Sequence, residues 1–134
     1  MQNPEVNILG LGYIGLPTAA LIAKNGTHVH GVDINKDVVE TINNGKIHIV
    51  EPDLGEAVSY AVSNGFLRAS TEAALANTYL IVVPTPFKNN HEPDISFVES
   101  ATENIIPLLK KGDTYIIEST SPVGTTEKMM HLIY

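Results

Sequence analysis

The sequence predicts an α/β fold built on a doubly wound parallel sheet, and three observations carry that expectation. Short apolar runs alternate with segments of helical periodicity along the whole chain. Glycines cluster where the first apolar run meets the first helix. Residues 79–83 are almost wholly apolar, as a central parallel strand covered on both faces must be. With 134 residues, 43% of them hydrophobic, the chain is long enough for one domain with its own core.

Taken in order, Val6–Leu9 reads as the first strand and residues 13–25 as a helix, closed by Lys24 in its last turn and Gly26 just beyond. Residues 28–33 form the second strand. Val38, Val39 and Ile42 recur at helical spacing, so residues 35–43 are expected to be a helix that stops at Asn44-Gly45. After a loop over 45–51, Pro52 suits the first turn of a helix running to about Asn64-Gly65. Residues 66–69 are the third strand, and Ser70 is expected to cap a brief helix over 71–76 before the fourth strand at 79–83.

The next segment, residues 84–93, holds Pro84, Pro86, Pro93, Asn89 and Asn90, and is too long and irregular to be only a connector. A helix over 95–111 follows, with Pro107 marking a kink or an early end. Residues 113–118 are the fifth strand, 119–124 a polar turn, and 125–134 a final helix. The expected sheet has about five strands in the order 3-2-1-4-5, stopping before a sixth. That leaves an exposed edge and an apolar helix face around Met129, Met130, Leu132 and Ile133.

Composition narrows the function. Fifteen acidic residues against eight basic, a net charge of -7, speak against a nucleic acid or an anionic membrane surface as partner. The absence of cysteine excludes disulfides, thiolate metal ligands and a cysteine nucleophile, so redox chemistry needs a bound cofactor. The start of the chain lacks the basic region of a signal peptide, and a cytoplasmic protein is expected. Val6 to Ala23 carries no charge, but Gly10, Gly12, Gly15 and Pro17 interrupt it as a strand, a turn and a helix start rather than a membrane span.

Gly10-Leu11-Gly12-Tyr13-Ile14-Gly15 is a G-x-G-x-x-G motif between the first strand and the first helix. The first glycine permits a sharp turn, the second lets a pyrophosphate approach the backbone, and the third lets helix and strand pack closely. The N–H groups of Tyr13 and Ile14 then face the phosphates at the positive end of the helix dipole. Asp33, at about the 20-residue spacing such a site requires, can accept from both ribose hydroxyls, and its charge disfavours the extra phosphate of NADP, so NAD is expected. Lys36 lies near and reads as a solvated helix residue. The competing explanation is a mere tight turn, with Asp33 capping the next helix.

Thr85 and Thr120, in the loops after strands four and five, would face the same crevice; loop shaping by the prolines and backbone capping by the hydroxyls account for them equally well. His28 and His30 share a strand face and read as surface or packing residues. His48, Glu51 and Asp53 have loose spacing, which favours a structural role with Asp53 at a helix start, and no metal site is expected.

Several segments together resemble the amino-terminal domain of the UDP-glucose/GDP-mannose dehydrogenase family: GLGYIGLPTA at 10–19, GVDIN at 31–35, EPDL at 51–54, PTPF at 84–87 and ESTSPVGTTEKM at 118–129. The likeness covers essentially the whole chain. Within the family, GKIHIVEPDL, GFLRAST and PTPFKNNHEPD are most similar to members acting on UDP-N-acetyl-D-mannosamine in bacterial surface-polysaccharide synthesis. The resemblance implies a Rossmann-type domain and assigns backbone cofactor contacts to Tyr13 and Ile14. It makes Asp33 the ribose acid, Thr85 a cofactor-side contact, and Thr120 and Thr126 contacts near the nicotinamide.

It further implies oxidation of a UDP-sugar C6 alcohol to the carboxylate by two NAD, through a thiohemiacetal on a cysteine. No counterpart of that cysteine segment occurs in these residues, so no catalytic residue is assigned here and the chain alone is expected to bind NAD without turnover. A homo-oligomer is expected, with the UDP-sugar bound only by the full-length protein. A stand-alone NAD-binding module and a dehydrogenase for UDP-glucose, UDP-N-acetylglucosamine or GDP-mannose are the alternatives. A methyltransferase leaves Asp33 and the threonine loops without a reason.

Overall fold

The structure, a computed structural model, describes residues 4–86, 88, 94–118 and 122–134. Strands β1 (Val6–Leu9), β2 (Val29–Val32), β3 (Leu67–Ser70), β4 (Thr78–Ile81) and β5 (Thr114–Ile117) form one parallel sheet in the order β3-β2-β1-β4-β5. This is the doubly wound order expected. Register pairs Leu9 with both Val32 and Ile81, Val32 with Ser70, and Ile81 with Ile117, so all five strands end on one line. Their following loops therefore open side by side. The order in which strands are added reverses between β1 and β4, and the helices that follow those two strands lie on opposite faces.

Period-two alternation sorts the strand side chains onto two cores. Ile8, Val29 and Leu67 pack with helices α1 (Gly15–Lys24), α2 (Lys36–Asn43) and α3 (Leu54–Ser63) on one face. Leu9, Val32, Tyr79 and Ile81 pack with α4 (Ser96–Ile105) and α5 (Thr125–Ile133) on the other. The buried stripe of α1 is Gly15, Leu16, Ala19, Ala20 and Ala23, and the three alanines, which end at Cβ, let the helix lie close to its neighbours. Each fully buried Leu, Ile or Val adds about 1.5–3 kcal/mol.

Three expectations change. Residues 71–76 form no helix, although Ser70 Oγ does accept the Glu72 N–H at 3.1 Å. Other side chains take the backbone groups that a helix would use. Buried Asn7 donates to the Ala74 carbonyl at 2.6 Å and accepts the Ala74 N–H at 3.1 Å, while the Tyr79 hydroxyl accepts the Ala76 N–H at 3.1 Å. The helix expected from Pro52 starts at Leu54, because Asp53 at its N-cap holds a left-handed φ of 64° and its side chain makes no capping bond. Met129 is buried in the second core rather than exposed; Met130 and Leu132 stay open to solvent. Pro107 does end α4 early, in a 3-10 turn over Ile106–Leu108. β5 is an edge strand with alternating exposed and half-buried residues.

Candidate cofactor site

The turn after β1 is held from three directions. The Gly10 N–H donates to the Val32 carbonyl at 2.8 Å, drawing the turn toward β2. Gly10 itself has φ +107°, and a Cβ there would collide with the Val82 carbonyl group, whose carbon is at 2.7 Å. Gly15 is buried, and a Cβ on it would drive into the Gly10 carbonyl, whose carbon is at 2.8 Å. Backbone conformation and close packing thus account for the first and third glycines. They do not account for the second. Gly12 has no left-handed φ, and a Cβ on it would meet nothing within 4 Å.

The open space beside Gly12 belongs to a cavity of about 330 Å³ at the carboxyl ends of β1, β2, β4 and β5, lined by Gly10–Ile14, Asp33, Val82–Thr85 and Glu118. The amino end of α1 faces this region with no acidic residue in its first turn. Intrahelical bonding begins where the Leu16 N–H donates to the Gly12 carbonyl, so the preceding N–H groups lack helical acceptors and form a positive terminus. Tyr13 and Ile14, 69% and 58% exposed, stand at the rim.

Asp33 is half-buried and fixed through both carboxylate oxygens: Oδ2 accepts the Leu11 N–H at 3.1 Å and Oδ1 the Asn35 N–H at 3.0 Å. Each oxygen keeps a further lone pair, so the carboxylate can still receive hydroxyl donors. Asn35 caps α2 in place of Asp33, accepting the Asp37 N–H at 2.9 Å. The capping explanation of Asp33 therefore gives way to a clamp between the glycine turn and the β2–α2 turn.

Of the residues predicted from sequence, the fold gathers Gly10, Gly12, Tyr13, Ile14, Asp33 and Thr85 around one cavity and puts Gly15 directly behind it. Thr120 lies outside the described residues. Thr126 is exposed in the first turn of α5 and lines a separate groove with Tyr115, Met130 and Tyr134. Leu11, Gly31 and Glu118 carry no individual signal in the sequence reading, yet they complete the turn and the cavity wall. His28 packs on Phe66 with ring centroids 5.0 Å apart, and His30 Nε2 lies 2.9 Å from the Glu72 carbonyl oxygen. Among the described residues no cluster of His, Asp and Glu could hold a metal ion, and no helix is long and apolar enough to cross a membrane.

The model of the UDP-glucose/GDP-mannose dehydrogenase family, NAD binding domain, matches residues 4–134. The chain belongs to this family. As its NAD-binding domain, it takes NAD as cofactor. Over 129 residues it is 61% identical to the UDP-N-acetyl-D-mannosamine dehydrogenase of Escherichia coli (strain K12), covering 96% of this chain and 31% of that protein. It is 56% identical over 124 residues to the NDP-N-acetyl-D-galactosaminuronic acid dehydrogenase of Ralstonia nicotianae, covering 92% of this chain and 29% of that one. Among solved structures, the UDP-N-acetyl-mannosamine dehydrogenase Cap5O from S. aureus superposes with a TM-score of 0.92 at 40% identity, covering 96% of this chain and 31% of that one. The chain thus spans about a third of the length of the curated relatives it matches.

Proposed function

We propose that residues 1–134 are the cofactor-holding domain of an NAD-dependent UDP-N-acetyl-D-mannosamine 6-dehydrogenase, a cytoplasmic homo-oligomer supplying a uronic acid for polysaccharide synthesis. The observation that carries the site is Gly12: nothing in the protein requires a glycine there, and the space a side chain would take opens into the cavity. A pyrophosphate against the backbone at that point supplies the missing reason.

In this reading the N–H groups of Gly12, Tyr13 and Ile14 receive the phosphates at the amino end of α1, and Asp33 receives the ribose hydroxyls. Thr85 bounds the cavity on the β4 side and Thr120 is assigned to the nicotinamide half, whereas Thr126, which lines the separate groove, is given no cofactor contact. NAD, when bound, supplies the hydride acceptor. The chain's own residues bind and orient it, and Asp33 repels an additional phosphate on the ribose. With no cysteine, this chain has no thiol with which to hold an aldehyde, so it binds NAD without turning over a UDP-sugar.

Titration calorimetry with NAD and with NADP tests the reading, alongside an NADH assay with UDP-N-acetyl-D-mannosamine. The expected result is NAD binding, at least about tenfold weaker binding of NADP, and no NADH from this chain alone. A folded sample that binds neither dinucleotide, or that produces NADH unaided, overturns it.

A further inference from the structure

Gly31 is not one of the glycines that a dinucleotide motif requires, yet a side chain there would also press on a close neighbour. It lies in β2, and a Cβ added there would sit 2.9 Å from each δ-carbon of Leu11 and 3.4 Å from its Cγ. Leu11 is fully buried, although it stands between Gly10 and Gly12 in the turn that faces the cavity. Its side chain reaches onto the bare backbone of Gly31, while its N–H donates to Asp33 Oδ2 at 3.1 Å. The preceding N–H, that of Gly10, is bonded to the Val32 carbonyl at 2.8 Å. Gly31, Val32 and Asp33, three consecutive residues of one chain segment, therefore fix the glycine turn by packing, by a backbone bond and by a carboxylate bond.

We propose that Leu11 seated on Gly31 is a positioning device that holds the phosphate-binding turn in its binding conformation before the cofactor arrives. The proposal rests on the reading that this cavity takes NAD. The turn is glycine-rich and intrinsically free to take many backbone shapes. The fraction of molecules already in the competent shape multiplies the affinity directly. A fully buried leucine whose own amide is also bonded keeps that fraction high. Leu11 needs no contact with NAD to do this. Gly31 is required because any side chain there would push the peg, and the turn with it, away from β2.

The test compares the wild-type chain with Gly31→Ala, Leu11→Ala and the double variant, all well below their unfolding midpoints. NAD affinity is read by calorimetry and the protection of the Leu11 amide by hydrogen exchange. Each single substitution is expected to weaken NAD binding about tenfold, and to speed exchange at Leu11. The double variant is expected to bind better than the product of the two losses, because removing the leucine methyls makes room for the new one. A purely packing role would lower the midpoint but leave the affinity of the folded molecules unchanged. Wild-type affinity and Leu11 protection in Gly31→Ala overturn the positioning role while leaving the NAD site standing; a wild-type chain that binds no NAD overturns both. If Gly31→Ala does not fold, Leu11→Val carries the same expectation of several-fold weaker binding, and wild-type affinity in it is the overturning result.

Discussion

At the level of single residues, the three glycines of one motif answer to different physical demands, and substitutions should separate them. Gly12→Val adds a side chain to open space, so the stability of the cofactor-free protein should change by no more than about 0.5 kcal/mol. NAD affinity should fall at least about tenfold, because the added atoms occupy the ligand's place. Gly15→Ala should do the reverse first, costing about 2 kcal/mol or more through its collision with the Gly10 carbonyl. Thermal unfolding and calorimetry on both variants measure the contrast. Asn7 is the other decisive residue. It is fully buried on β1 and bonded to both backbone groups of Ala74, so Asn7→Ala leaves a donor and an acceptor unpaired and should cost about 1–3 kcal/mol in urea unfolding.

At the level of elements, the ends of helices and strands hold what is testable. Asp53 starts α3 with a left-handed backbone and no capping bond, a conformation glycine adopts without strain. Asp53→Gly should therefore stabilise the fold by about 0.5–1 kcal/mol, read as a higher urea midpoint at an unchanged slope. Where β5 meets α4, Thr102 Oγ1 donates to the Val98 carbonyl at 2.7 Å and shares a hydrogen bond with the Tyr115 hydroxyl at 2.6 Å. Burial holds the Tyr115 hydroxyl above the ordinary tyrosine range, with the Thr102 contact opposing part of that shift. The folded state thus binds this proton more tightly than the unfolded chain. Its contribution is complete below about pH 10 and is lost as pH rises beyond that. Tyr115→Phe should be less stable by about 1 kcal/mol at neutral pH and show a shallower alkaline loss in pH-dependent unfolding. At the start of α4, hydrogen bonds from Ser96 hold the Asp94 carboxyl below its usual range.

At the scale of the whole molecule, the sheet brings the site together. All five strands finish on one line, and the loops after β1, β2, β4 and β5 meet over the point where strand order reverses. A ligand that bridges those loops binds only the folded chain and stabilises it by mass action. NAD at about a hundred times its dissociation constant should add about 2.7 kcal/mol and raise the midpoint by several degrees, with NADP giving a smaller rise at the same concentration. Equal shifts from the two dinucleotides would contradict the role of Asp33.

Much of this molecule was legible in the sequence, because its signals are local. Alternation of apolar runs and helical periods pointed to the strand order, the spacing of glycines to the turn, and the distance to Asp33 to an acid that the fold places on the cavity wall. What the tertiary structure alone decided depends on residues distant in sequence. Ser70 followed by a helix-compatible stretch read as a cap, but Asn7 from β1 and Tyr79 from β4 take the backbone groups of residues 74 and 76, and the segment stays irregular. Met129 is buried because α4 and the sheet cover it, which no periodicity within α5 could reveal. Leu11 occupies a position the motif leaves open to any residue, and only the pairing of β1 with β2 sets it over Gly31. The sequence by itself determined the class of fold, the kind of cofactor and the acid that lines the cavity. The packing of separate strands decided how the turn is held, because that rests on contacts between residues that the chain keeps far apart.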